Sequence, residues 1–484
     1  MNRAIRQVGI GVMVLVLLLV AQLTYLQVYD ADHLAHDPRN IRFQLRDFSK
    51  QRGRILTADD QIVARSVETR DELKFQRLYP QGALFSQIAG YQSFVFGNTG
   101  IERTYNNELA GRDPLLQIKN IGDVIAGKEA VGNVVLSSSA SLQTAARDAL
   151  GAQHGSVVVM NPKTGAILAM YSNPSYDPQP FASHNSQAAQ DYEKLLRANP
   201  DKPDLPRAYR EVFAPGSTFK VITSSVALGT GKFTPDSNFP TLTELKLPQT
   251  TNTLKNFGGE SCGGTLALSF QQSCNTTFGQ IGLDLGNDFV PGMQKFGIGS
   301  APPLDISPGA ATSVGPPAGS FQQNQPLFAF AGIGQGDVAV TPLEMALTAS
   351  AVANNGQIMQ PHAVDRITGA DGNTVKTIDP KPWQTAMSPQ VAATMKTLMI
   401  SVVEGGTGTA ARIPGVSVAG KTGTAQVQGA QAPHAWFVGF APAEDPQVAV
   451  AVLVEHGGNA GSEATGGRVA APIAAQMMRM VLGR

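Results

Sequence analysis

The chain has 484 residues, enough for about two or three domains, and its 37 Lys+Arg balance 37 Asp+Glu, so the formal net charge is zero. That balance argues against bulk nucleic-acid binding. Charged residues make up 15% and apolar residues 42%, with 50 glycines, which describes a globular, loop-rich chain with one lipophilic segment.

The lipophilic segment comes first. Val8 to Val28 is apolar except for Gln22, Thr24 and Gln27, and its roughly 21 residues suffice to cross a bilayer as a helix. Arg3 and Arg6 precede it, so residues 1–7 are expected to form a cytoplasmic tail. Ala21-Gln22-Leu23 makes a poor signal-peptidase site. The expectation is an uncleaved, single-pass signal anchor, with everything after Tyr29 outside the membrane.

Residues 29–139 are more polar than residues 140–484. Gln51-Arg52-Gly53-Arg54-Ile55-Leu56, an Asp59-Asp60 turn and Ile62-Val63-Ala64 predict two strands. The second part of the stretch from Gly97 to Gly111 predicts a short amphipathic helix ended by Gly111. Both stretches read as structural.

From about Ser139 the pattern changes. Leu142, Ala145, Ala146, Ala149 and Leu150 recur at helical spacing. Two β-rich runs, 155–160 and 166–170, flank Asn161-Pro162-Lys163-Thr164-Gly165 as a hairpin. Ser172 to Pro206 reads as a polar surface excursion, and Ser300 to Pro326 as an irregular loop. Helices are predicted over 341–354, 395–403 and 470–482, and strands over 416–427, 435–441 and 447–454. Helices before and after a run of antiparallel strands predict an α+β architecture. Seven histidines without an i, i+4 pair, and two cysteines without a Cys-x-x-Cys, predict no metal site.

The chemistry centres on Ala214-Pro215-Gly216-Ser217-Thr218-Phe219-Lys220. Pro and Gly break the preceding chain, and Ser217 falls in the first turn of a helix. Positions i and i+3 share a helix face, so Ser217 and Lys220 are expected within hydrogen-bond reach. A serine hydroxyl needs a neighbouring base to act as a nucleophile. The helix start adds N–H donors suited to an oxyanion.

Ser217-x-x-Lys220 is followed by Ser273-Cys274-Asn275 and by Lys421-Thr422-Gly423-Thr424. In this order and spacing the three motifs resemble those of penicillin-binding proteins and serine β-lactamases. Cys274 stands where an Asp is common, and that weighs against a class A β-lactamase. Further matching stretches are 161–170, Gly334-Gln335-Gly336 with Thr341-Pro342-Leu343, Gly406-Thr407-Gly408-Thr409 and 436–442. The segments 52–55 and 100–105 resemble the pedestal of class B penicillin-binding proteins. The compact length, early anchor and Ser-Cys-Asn most resemble an actinobacterial branch of that class. Two decoys, Lys163-Thr164-Gly165 and Ser183-His184-Asn185, precede the nucleophile and are expected to be non-catalytic.

The resemblance implies a penicillin-binding transpeptidase domain over 140–484 on a non-catalytic, dimerisation-type pedestal over 29–139. It implies a D,D-transpeptidase that cross-links D-Ala-D-Ala stem peptides of peptidoglycan through an acyl-Ser217 and is acylated there by β-lactams. Lys220 acts as base, Ser273 relays a proton, Asn275 orients Lys220 and substrate, and Lys421, Thr422, Gly423 and Thr424 hold the substrate carboxylate. The N–H groups of Ser217 and Thr424 form the oxyanion hole. No cofactor and no nucleic acid are implied. The plasma membrane and a membrane glycosyltransferase are the expected partners. The alternatives are a D,D-carboxypeptidase or β-lactamase-type hydrolase, and a penicillin-binding sensor or scaffold. The only two cysteines, Cys262 and Cys274, lie beyond the anchor in an oxidising compartment. They are expected to form a disulfide behind the second motif, the alternative being two buried thiols.

Overall fold

A computed structural model describes residues 2–30, 45, 47–117, 131–427 and 431–484. The parts of the 29–139 span at 31–44, 46 and 118–130 lie outside the described residues. The chain divides into two units, Met1–Gln51 with Val67–Gln76, and Arg52–Ser66 with Arg77–Arg484.

The first unit carries helix α1 (Asn2–Thr24), which continues as a wider turn through Tyr25–Tyr29. Ile5–Tyr29 is long and apolar enough to cross a membrane, and none of its most apolar stretch is buried against protein.

In the second unit, strand β1 (Ile55–Leu56) and the first five residues of β2 (Ile62–Glu68) form the antiparallel pair expected around Asp59-Asp60. Then come β3 (Asn133–Leu136), α2 (Ala140–Leu150), β4 (Gly155–Met160) and β5 (Ile167–Asn173). Helices α3 (Lys220–Gly229), α4 (Leu266–Gln272), α5 (Asn275–Leu285) and α6 (Pro342–Ala353) come next. After β6 (Val364–Thr368), β7 (Thr374–Thr377) and α7 (Pro389–Gly405), the chain closes with β8 (Ala419–Ala425), β9 (His434–Ala441), β10 (Val448–Val454) and α8 (Gly466–Val481).

The central sheet has the order β8-β9-β10-β4-β5 and is antiparallel throughout. Every residue of β9 and β10 is buried, so helices cover both faces, which is why these strands read as unbroken apolar runs. Helices α2 and α8 pack together against the sheet, and α6 packs on it beside α7. Thr341 and Glu344 form a capping box at the start of α6, with Pro342 in its first turn. β8 is the edge strand, so one of its sides has no strand partner.

Two features were not expected. The polar excursion 172–206 contains a helix, Ser186–Ala198, that buries only Ala189 and Leu196. A second sheet around β1 draws two strands from far down the chain. β3 runs parallel to β1, β6 pairs antiparallel with β3, and β7 pairs with β6.

Beside that sheet Glu102 is fully buried between two guanidinium groups, 2.7 Å from Arg52 Nε and 2.6 Å from Arg77 Nε. Burial alone would raise its carboxyl; the charges of Arg77 and Arg52 overcome that and hold it below the usual range. Arg52 also donates to Asn106 Oδ1 and Arg77 to Gly53 O. The 52–55 and 100–105 segments are thus joined by one buried ion cluster.

Removing the shared carboxylate leaves two buried cations facing each other. Glu102→Ala should cost about 3–5 kcal/mol of unfolding free energy, read as a lower midpoint in denaturant titration of the full chain. The bridge of Cys262 to Cys274 closes a loop of sequence separation 12. Its reduction should cost up to about 3 kcal/mol in the chain-entropy description, measured the same way with and without reductant.

Candidate active site

The loop that carries Ser217 is shaped by close backbone approach. Gly216 has φ +53°, and a Cβ there would lie 2.7 Å from Thr424 O. A Cβ on Gly423 would lie 2.8 Å from Pro215 O. Edge strand β8 therefore lies against the Ser217 turn with no side chain between them. Trp436 on β9 donates from Nε1 to Ala214 O at 3.0 Å and ties the same loop to the sheet.

Gly216–Phe219 forms a single tight 3₁₀ turn that runs into α3 at Lys220. The expected contact between Ser217 and Lys220 is not made: among the described residues, none forms a hydrogen bond with Ser217 Oγ. The tighter turn changes the i, i+3 geometry, and all three Lys220 protons are engaged elsewhere. Lys220 Nζ donates to Ser273 O at 2.7 Å, Asn275 Oδ1 at 2.8 Å and Ser273 Oγ at 3.2 Å. Two of these acceptors cannot donate in return. A neutral Lys220 would keep both and turn its lone pair along the remaining direction.

Lys421 Nζ reaches the same hydroxyl from β8, donating to Ser273 Oγ at 2.9 Å and to Thr422 O at 3.1 Å. Ser273 thus stands between two amines. Both lysines are fully buried. Lys220 Nζ lies 5.3 Å from the Phe278 ring centroid and Lys421 Nζ 5.7 Å from that of Phe270, one ring from α5 and one from α4. Burial, and then the charge of Lys421, push the Lys220 amine well below its ordinary range. Burial brings Lys421 down to about 7.

Ser273 ends α4 in the left-handed region, φ 65° and ψ 41°, where glycine is usual. This conformation aims its carbonyl at Lys220 while its hydroxyl meets both amines. Cys274 comes next at 1% exposure, bonded to Cys262 across 5.4 Å between Cα atoms. The second motif is therefore held covalently from behind.

On β8, Thr422 is buried and its hydroxyl lies 2.5 Å from that of Thr407, in the Gly406-Thr407-Gly408 stretch. The sequence motifs assign no role to Thr407, Phe270 or Phe278. Thr407 sits in a stretch whose pattern is recognisable; nothing local marks the two phenylalanines. Lys163 of the first decoy lies at the hairpin turn in an ion pair with Asp445. In the second, Asn185 caps the 186–198 helix through Gln187 N and Ala188 N. Neither belongs to the Ser217 cluster. Among the described residues no cluster of His, Cys, Asp and Glu is arranged to hold a metal ion.

Comparison with known proteins fits this geometry. The profile of the penicillin binding protein transpeptidase domain matches residues 155–479, and that of the penicillin binding protein A dimerisation domain matches residues 52–135. The chain is 42% identical to the peptidoglycan D,D-transpeptidase PbpA of Mycolicibacterium smegmatis, over 98% of this chain and 97% of that one. It is 39% identical to the protein of the same name in Mycobacterium tuberculosis, over 100% and 99%. Among solved structures it resembles penicillin-binding protein A from M. tuberculosis as a ceftriaxone acyl-enzyme complex, with TM-score 0.83 and 36% identity over 90% of this chain and 100% of that one. The resemblance read from the motifs, and the mixed fold that it implied, are both borne out. The chain belongs to the penicillin-binding protein transpeptidase family.

Proposed function

We propose that this chain is a peptidoglycan D,D-transpeptidase that works through an acyl-Ser217 intermediate and is acylated there by β-lactams. The observation that carries the reading is the continuous Lys220–Ser273–Lys421 hydrogen-bond chain beside the Ser217 turn. It provides a base with a depressed pKa, a hydroxyl relay and a second amine in one dry site.

Ser217 Oγ attacks the carbonyl carbon between the two D-alanines as its proton passes to the neutral Lys220 amine, which first turns its lone pair from Ser273 Oγ towards Ser217. The oxygen that becomes negative is held by the N–H groups of Ser217 and Thr424. When the tetrahedral centre collapses, the C–N bond breaks. The departing D-Ala nitrogen takes its proton through the Ser273 hydroxyl, which Lys220 reprotonates. An amine of a second stem peptide then attacks the ester by the same path in reverse, so that Ser217 regains its proton. Asn275 orients Lys220 and the donor amide. Charged Lys421 holds the terminal carboxylate with Thr422, Gly423 and Thr424. A β-lactam takes the first half of this path, its ring amide opening in place of the peptide bond.

Residues 140–484 form the acyl-transfer part and 29–139 the pedestal. The apolar Ile5–Tyr29 helix anchors the chain in the membrane, and Arg3 and Arg6 place its start in the cytoplasm. Stem peptides arrive on glycan strands, so a membrane glycosyltransferase is the partner that this chemistry requires.

Fluorescent penicillin tests the assignment. Wild type and Lys163→Ala should be labelled, and Ser217→Ala should not. Lys421→Ala should be labelled about 10–100-fold more slowly, as befits loss of a charge-assisted contact. Equal rates for the two lysine variants would overturn it. Label lost within minutes would instead indicate a β-lactamase-type hydrolase.

The pH dependence has a definite sign. Lys220 must be neutral to accept a proton, so acylation rises with pH through its depressed pKa. Lys421 must be charged to hold a carboxylate, so the second-order rate constant falls above its value of about 7. At saturation the bound carboxylate raises that value, and the falling limb moves to higher pH. A second-order constant flat from about pH 5 to 9 contradicts both assignments. Lys220→Arg should be nearly inactive, because guanidinium does not give up its proton.

A further inference from the structure

Helix α5 starts at Asn275 without a cap of its own. Its N-cap residue, Cys274, makes no side-chain capping bond, its sulfur being joined to Cys262. The first N–H groups of a helix have no partner within it. Here the Thr276 N–H is met from another part of the chain. Asn256 Oδ1 accepts from Thr276 N at 3.0 Å and from Thr276 Oγ1 at 3.3 Å. The Asn256 amide nitrogen donates to Leu242 O at 2.7 Å and to Glu260 O at 3.1 Å. A primary amide has two acceptor positions and two hydrogens. All four face a partner, at 7% exposure, the single Thr276 hydroxyl hydrogen being shared with Cys262 O at 3.3 Å.

The preceding residue completes a ladder. Lys255, at the end of the short strand Thr253–Lys255, accepts through its carbonyl from Asn275 Nδ2 at 3.0 Å. Two consecutive residues, 255 and 256, thus bond two consecutive residues, 275 and 276. The first rung fixes which way the Asn275 amide faces. With its nitrogen on Lys255 O, its oxygen is left for Lys220 Nζ, 2.8 Å away. The second rung supports the first from the adjacent residue, alongside the pairing of Lys255 with Glu244 in its own short sheet.

We infer that Asn256 is a positioning residue of the acyl-transfer site, capping α5 from outside and holding the Asn275 amide so that its oxygen stays on Lys220. It touches no reacting atom. The inference rests on the roles proposed above for Asn275 and Lys220, and it adds a residue that lies outside all three motifs.

The test is penicillin acylation of the full chain in detergent, resolved into the first-order constant at saturation and the half-saturating concentration. The first-order constant is independent of the folded fraction, so partial misfolding does not imitate the effect. Asn256→Ala should lower that constant at least tenfold and change the half-saturating concentration less than threefold, since the carboxylate contacts on β8 are untouched. Asn256→Asp keeps an oxygen for the Thr276 N–H and should acylate at least threefold faster than Asn256→Ala. That comparison also serves if the alanine variant folds poorly. Thr276→Val keeps the backbone rung and should stay within twofold of wild type. A wild-type constant in Asn256→Ala, or equal losses in the Ala and Asp variants, overturns the inference. Asn275→Ala separates the two levels. If it slows acylation while Asn256→Ala does not, the positioning role fails and the site reading stands; if Asn275→Ala has no effect, the site reading itself fails.

Discussion

Two amines that share one serine hydroxyl are the constraint on which the rest of this structure depends. Lys220 and Lys421 both bond Ser273 Oγ, and both are fully buried. A buried ammonium is costly, and a second one beside it more so. Burial and the neighbouring Lys421 accordingly push the Lys220 amine well below its ordinary range, which suits the general base proposed for it. The phenyl rings over the amines serve the same end, since they exclude water and compensate only partly for its loss. The apolar packing of α4 and α5 therefore belongs to the chemistry as much as to the core.

The arrangement needs Ser273 in a conformation that a serine resists. A left-handed residue other than glycine costs roughly 1–2 kcal/mol, and glycine would remove the hydroxyl. Such strain persists where the surroundings over-determine it. Here Lys220 holds the Ser273 carbonyl, Cys274 N bonds Ser269 O at 2.9 Å, and the sulfur of Cys274 is joined to Cys262. Covalent and hydrogen-bonded restraints converge on two consecutive residues, which suits the relay proposed for Ser273.

The legibility of this protein in its sequence was uneven. The motifs were visible because each is local and their order is diagnostic, and the edge strand was visible because the Lys421 motif is followed closely by the apolar runs of β9 and β10. The direct Ser217–Lys220 contact was expected from helical spacing, but Pro215 and Gly216 lead into a tighter turn, and the base faces Ser273 instead. The 186–198 helix escaped notice because it buries two small patches under an otherwise polar surface. Asn256 gave no local signal at all. Its partners are fixed by tertiary structure, and an asparagine before Phe257-Gly258-Gly259 reads as an ordinary turn. The strands at 364–377 were hidden for the same reason, since their pairing with residues 133–136 is a long-range choice.

That last pairing interleaves the two halves of the chain. The β6–β7 ribbon is encoded deep within the part that bears Ser217, yet it completes a sheet built on β1 and β3. A fragment beginning at residue 140 would keep the ribbon and lose its partner strand, leaving the β6 edge bare with Val364 and Ile367 no longer covered. Open apolar edges of this kind recruit other chains. Recombination between related genes meets the same obstacle, because exchanging the N-terminal half alone would set a foreign β3 against a resident β6. The two halves are therefore expected to be inherited, and to diverge, as one piece.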